Sequence, residues 1–442
     1  VNPGTSPVLH ALLVRRRLLI ALGLVTALLG TGFAAGSADR CGAWPPANPT
    51  LLTVSRSEGA LRIGAAKAEL RFPGPVTVGG YAPWRSTATS AASPLFARAL
   101  VLDVGGQQVR LVLLDLLLVA PRLRDRIAEG QAHPTWVIAT HTHSGPGGYD
   151  TRPAAQLAGL GALAPEIETT LVTAARQALT DAEAALTPAT LRVSPLESPF
   201  SVARSGAEVD TRLSAFRFEA GDRTLAELLI VAAHPTLVER RTAQLDPDWP
   251  GAVASAREAN GGPVTLVVQG AGGNASVDRA RYPSVRAAAD ALLARVTTPA
   301  PADGGALPGD APAGPTKLAW SSVRVGLPRP DASRLVPGVL RAFTENLLCD
   351  GAEDIAVLHG LRLGALELLF VPLEPSYAAG RVLEEQARVQ RVVSLADGYA
   401  GYVETEEAAR TSTGEARRQY FPPELLTRLA EGARLAGAAL RD

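Results

Sequence analysis

The chain has 442 residues, 47% of them hydrophobic and 19% charged, so it can bury a large core and falls outside the disordered class. Its 43 Lys and Arg balance 43 Asp and Glu, which leaves no net field to gather phosphates, and nucleic acid is excluded as a charge-attracted partner. Only Cys41 and Cys349 are present, too few to hold a metal as a cluster; a bridge in an oxidising compartment and two buried thiols both suit them.

In chain order, residues 1–40 read as an export signal or membrane anchor. Arg15, Arg16 and Arg17 precede the apolar run 18–29, and small residues follow through Ala38, the layout of an export segment. A buried helix would place polar residues at the helical period instead. The run is close to the ~18 residues that span a bilayer, so cleavage near 34–38 and retention as an anchor both fit. The expected location is periplasmic, secreted or anchored to the membrane, with membrane association through this segment. A Pro-rich stretch, GAWPPANP at 42–49, marks 41–60 as a spacer, and the folded domain is expected over 61–442.

Within that domain, apolar runs at 99–103, 109–119, 135–139, 225–233, 264–268 and 366–371 are continuous rather than alternating, which predicts strands buried on both faces. Helices are predicted over 121–130, 165–186, 284–295, 376–391 and 424–440. The second opens with Pro165 and Glu166 and sets Ile167, Leu171, Ala174, Ala178 and Leu179 on one face. Residues 297–315, rich in Pro, Gly and Ala, read as a flexible surface insertion within one domain. The economical architecture is α/β: a mixed-sheet α/β sandwich with its active site at strand ends.

Four of these runs end in a polar or glycine-rich turn that carries a residue fit for metal or hydrolytic chemistry. Strand 135–139 leads into THTHSGPGGY, 225–233 into HPT, 264–268 into QGAGGNAS and 366–371 into PLEPS. Of only six histidines, His141, His143 and His234 stand at such ends, with Glu374 at another, which points to a metal site. In an HxH pair on extended chain both rings face the same way, so both can face one metal, or one binds while the other holds substrate. The turn around Ser276 offers a hydroxyl and backbone amides suited to an oxyanion, although it is not a GxSxG elbow.

THTHSGPGGY at 140–149 resembles the signature of the neutral/alkaline, non-lysosomal ceramidases, and further segments follow in that family's order. Residues 63–82 are similar to its amino-terminal strand and glycine-tyrosine turn, and LFARALVLD at 95–103 to the strand after it. Arg204 in VARSG, His234 in AAHPT, Ser276 in GNAS, Glu374 in VPLEPS and Tyr402 in LADGYAGYVETEE complete the likeness, which runs from about residue 60 to the carboxyl terminus. The resemblance implies an amidohydrolase with Zn2+ held by His141, His234, Glu374 and Tyr402. It further implies substrate or oxyanion contacts from His143 and Arg204, and Ser276 either attacking or positioning water. The implied substrate is ceramide or a related N-acyl lipid.

Departures from the family pattern bear on the substrate. GDVSPN is here GNASVD, which puts Asn274 where the family has aspartate, and the region around Thr413 and Gly414 lacks a later tyrosine, Tyr420 standing several residues too late. The segment after Arg204 is short, and the chain stops soon after the tyrosine motif, so no carboxyl-terminal immunoglobulin-like domain is expected. Two alternatives therefore stand beside the first reading: a zinc hydrolase of another amide or ester, and a catalytically silent envelope protein on the same fold.

Overall fold

The computed structural model describes residues 41–441 apart from 43, 46–47, 82–85, 205–206, 298–314, 337 and 350–351, together with isolated positions between 15 and 31. The export segment and the insertion expected at 297–315 thus lie almost wholly outside the described residues. Among the described residues no helix is long and apolar enough to cross a membrane.

Continuous apolar runs become strands sandwiched on both faces. In Phe96–Val104, Ala97, Ala99 and Val101 enter one core while Leu100, Leu102 and Val104 enter another, the two-residue alternation of a pleated strand. This strand is central in a five-stranded sheet of order Thr187–Pro188, Leu61–Glu69, Phe96–Val104, Gln107–Leu114, Thr135–Ala139. The pairs are antiparallel except the last, which is parallel. Helices Pro121–Ala128 and Pro165–Ala184 cover its first face, with Leu123, Ile127, Leu171 and Ala178 buried against it.

Its second face meets two further sheets. One is four-stranded, Thr190–Glu197, Arg212–Ala220, Arg223–Val231, Val264–Gln269; the other is five-stranded, Thr50–Gly59, Thr316–Gly326, Ile355–Leu363, Leu366–Phe370, Arg391–Val393. Trp136, Phe216, Leu228, Leu266, Leu361 and Phe370 share this central core, and all are buried. The far faces are closed by helices, Asp248–Glu258 and Val285–Thr297 over the four-stranded sheet, Tyr377–Ala387 and Leu425–Ala439 over the five-stranded one. The expected mixed-sheet α/β sandwich is the architecture of the chain, with helices on both outer sides.

The departures have local causes. The strand expected over 109–119 ends at Leu114, because the buried Asp115 carboxylate accepts the Phe96 N–H at 2.8 Å and Arg98 Nη1 at 3.2 Å and turns the chain. Thr50–Gly59 lies in the expected spacer yet pairs along Thr316–Gly326. It is an edge strand of mostly exposed residues, so it has no apolar run to betray it. The helix Gly338–Cys349, also unforeseen, ends in a disulfide from Cys349 to Cys41, with Cα atoms 5.2 Å apart across a separation of 308 residues. This settles the choice between bridge and thiols. A bridge closing so long a loop constrains the unfolded chain strongly, so Cys349→Ser is expected to lower denaturant-measured stability by about 2–4 kcal/mol.

Candidate functional site

Short ladders beyond the main sheets gather the strand ends. Glu374 stands opposite Tyr402 in a parallel pair, His234 bridges Ser276, Ile138 bridges Ala396, and Gly79 pairs with Gly145. The result brings together residues far apart in sequence. Glu374 Oε2 lies 3.1 Å from His141 Nε2 and 3.0 Å from His234 Nε2, and the Tyr402 hydroxyl is 3.1 Å from His234 Nε2. His143 joins them, the three imidazoles offering ring nitrogens within 4.8 Å of one another. Arg204 reaches in with Nη1 3.0 Å from His234 Nε2 and Nε 3.8 Å from Glu415 Oε1.

The extended HxH geometry expected from sequence is not what aims the histidines. His141 has φ +71°, a left-handed conformation that a histidine adopts at a cost, and the segment turns rather than extends. Orientation comes instead from carbonyls behind each ring. Nδ1–H of His141 donates to Leu117 O at 2.7 Å, that of His143 to Gly80 O at 2.9 Å, and that of His234 to Gly272 O and Ala275 O, both at 3.0 Å. A carbonyl can only accept, so each ring keeps its proton on Nδ1 and turns an Nε2 lone pair into the site. Gly80 is indispensable to this approach: with φ +138°, a Cβ there would fall 2.6 Å from His143 Cα.

Electrostatics follow from burial. Desolvation lowers His143 well below the usual imidazole value and lowers His234 to about 4, each reinforced by its neighbouring rings. Burial, aided by the Glu374 charge, raises both Tyr399 and Tyr402. Imidazoles, a carboxylate and a phenol are thus massed at about 3 Å. Nε2 of His141, Nε2 of His143 and Oε2 of Glu374 are buried without a directed hydrogen bond. This donor set of nitrogen and oxygen lone pairs fits a divalent cation, zinc above all.

Several contributors carry no metal-like signature in the sequence. Tyr399 donates from its hydroxyl to Glu374 Oε1 at 2.5 Å and so orients the carboxylate. Tyr149, the last residue of the HTHSGPGGY segment, is buried and donates to Leu118 O at 3.0 Å, steadying the carbonyl run that holds His141. Asp397 accepts the Val137 N–H at 2.6 Å and lies 2.9 Å from His359 Nε2, whose Nδ1 is 2.8 Å from Ser322 Oγ. This buried chain ties the strand leading to His141 to the loop that carries Tyr399 and Tyr402.

In the serine turn three backbone amides are already engaged. The N–H groups of Gly272, Gly273 and Ala275 are spent on the carbonyls of Gly270, Pro375 and Gly272, so they cannot bind an oxyanion. Asn274 is a structural bridge: its Nδ2 donates to Glu208 O at 2.7 Å and its Oδ1 accepts the Tyr377 N–H at 2.9 Å. Ser276 is half-buried in a short strand opposite Val202.

A cavity of about 480 Å³ opens onto His141, His143, Glu374 and Tyr402, with Leu117, Leu118, Leu160 and Leu348 among its apolar walls. Tyr420, too distant along the chain to count from sequence, also lines it. The tight turn Gly414–Arg418 folds the chain back, and Gly401, at φ +79°, leaves room for the Tyr420 ring.

Fold and site together define a sandwich-fold protein with a buried imidazole, carboxylate and phenol cluster at its strand ends. No family model matches the sequence, and no curated protein matches it. Among solved structures, the chain is similar to the neutral ceramidase from Pseudomonas aeruginosa, with a TM-score of 0.71 at 18% identity over 86% of this chain and 74% of that one. A ceramidase complexed with C2 gives the same TM-score and identity over 86% and 75%. The fold is that of neutral ceramidase.

The segment that packs behind the site yields a pH test. Thr142 Oγ donates to Asp246 O at 2.7 Å, Asp246 N–H donates to Ser144 O at 2.8 Å, and Asp248 follows. Burial pushes the Asp248 carboxyl up to about 6, against N–H donors from Val238 and Trp249. The fold binds this proton more tightly than the unfolded chain, so the stability it contributes is complete below pH ~4 and is lost as pH rises to about 6, a change of up to about 3 kcal/mol. Asp248→Asn, always neutral, is expected to flatten that fall in urea unfolding curves.

Proposed function

We propose that this chain is an exported, zinc-dependent amidohydrolase that cleaves the amide bond of ceramide or a related N-acyl lipid. The observation that carries it is the meeting of three Nε2 lone pairs, the Glu374 carboxylate and the Tyr402 phenol beside a largely apolar cavity. His141, His234, Glu374 and Tyr402 would hold the ion, which supplies Lewis acidity and an activated water at neutral pH. His143, neutral and facing the cavity, accepts a proton or hydrogen bond from the reacting amide. Arg204 brings a fixed positive charge toward the oxygen on which negative charge develops. Ser276 serves to position substrate or water, or to attack. The apolar walls exclude water and take an acyl chain.

The disulfide supports an oxidising compartment and with it the exported location. A second reading, hydrolysis of a different amide or ester, is favoured by the cavity wall. Arg418 and Tyr420 line it, and the Arg418 guanidinium lies over the Tyr402 ring at 5.8 Å. A polar wall of this kind suits a substrate with a polar group near the scissile bond.

Purified protein is expected to carry about one zinc per chain by metal analysis, and His141→Ala to lose it while keeping the circular dichroism of the fold. Tyr399→Phe keeps the ring but removes the hydrogen bond to Glu374, and is expected to weaken zinc binding about 10- to 100-fold in chelator competition. Fatty acid released from a panel of N-acyl lipids and simple esters separates the two substrate readings. Metal-free protein that releases nothing from any of them would sink both.

A further inference from the structure

The helix Gly338–Cys349 is built inside out. At ~100° per residue, Ala342, Asn346 and Cys349 fall on the side that holds the body, with Asn346 buried and Cys349 bridged to Cys41. Leu340, Phe343 and Leu347 fall on the opposite side, and Leu340 and Phe343 are 45% and 50% exposed. A surface helix ordinarily turns such a stripe inward. Leu348, one step round the same helix, lines the cavity described above. Across the mouth, the turn Pro153–Ala155 packs against this helix, its Ala154 and Ala155 line the cavity, and Leu157 just beyond it is 58% exposed. Apolar residues thus extend from the cavity wall onto its rim.

We propose that this rim, Leu157 with Leu340 and Phe343, docks on a lipid surface, so that an N-acyl lipid passes from the bilayer into the cavity without crossing water. The inference rests on the amidohydrolase reading for its substrate. Two features favour a lipid surface over another occupant. Arg341, the cation on the helix, is engaged by Asp331 at 3.3 Å and Glu345 at 2.7 Å, so it is not offered to an anionic partner, and what the rim presents is its apolar groups, as an uncharged headgroup layer suits. The disulfide also fixes where the chain before Cys41 joins the body: at the end of the rim helix. The apolar run 18–29 precedes Cys41 in sequence, and Cys41 is where that part of the chain joins the described body.

The test uses the full chain and phosphatidylcholine vesicles. An environment-sensitive fluorophore on Phe343→Cys is expected to shift to the blue and brighten severalfold when vesicles are added. The same label on Arg286→Cys, on the helix over a different sheet, is expected to stay unchanged. In the double variant Leu340→Ser with Phe343→Ser, hydrolysis of a vesicle-borne N-acyl lipid should fall about tenfold or more relative to a water-soluble short-chain N-acyl amide, whose rate is retained. A label at 343 that ignores vesicles overturns the proposal. So does one that shifts to the blue without them as protein concentration rises, since a second copy would then cover the rim. Vesicle contact through 343 with no amide hydrolysis would leave the surface standing and remove the enzyme; hydrolysis of the soluble amide with no vesicle contact would do the reverse.

Discussion

Glu374 is a buried carboxylate, and a buried negative charge must be met by donors or a cation. Here Tyr399 meets one oxygen, while the other is surrounded by imidazole nitrogens whose protons are all turned away. That single requirement organises the neighbourhood. It demands that Leu117, Gly80, Gly272 and Ala275 present carbonyls behind the rings, and that the chain bend at His141 into a costly conformation to let its ring in. An arrangement so expensive in desolvation and strain is the kind retained at functional sites.

The sandwich supplies the stiffness such a cluster needs. Its central core fixes the strands on both sides, and the site forms where those strands stop and the helices have not yet begun. The buried His359, Asp397 and Val137 contacts carry that stiffness across to the tyrosine loop, which has no main-sheet strand of its own. Position is thus transmitted from core to site through hydrogen bonds, and the geometry of the cluster is held by the protein itself.

Some of this was legible in the residues. The continuous runs at 135–139, 225–233 and 264–268 foretold strands buried twice over, since only such strands dispense with polar alternation. Scarce histidines at their ends marked the candidate site, where the three imidazoles meet. Thr50–Gly59 was not legible, being an exposed edge without an apolar run, whereas Gly338–Cys349 does carry Leu340, Phe343 and Leu347 at helical spacing, and only the structure shows that this stripe faces outward. Tyr399 escaped because its task is to hold Glu374, a contact made across 25 residues that no local spacing encodes. Tyr420 escaped because separation along the chain is no guide once a turn brings it back.

Residue type and local periodicity, which act over a few neighbours, were enough to determine the α/β class, the buried strands, most of the helices and the identity of the candidate ligands. Tertiary structure alone decided which ends meet, which ring nitrogen faces inward, that the two cysteines join, and that the serine turn spends three of its amides on the fold. The reason is physical: hydrophobic burial is read residue by residue, whereas hydrogen-bond direction and the meeting of distant loops depend on where the whole backbone has already gone.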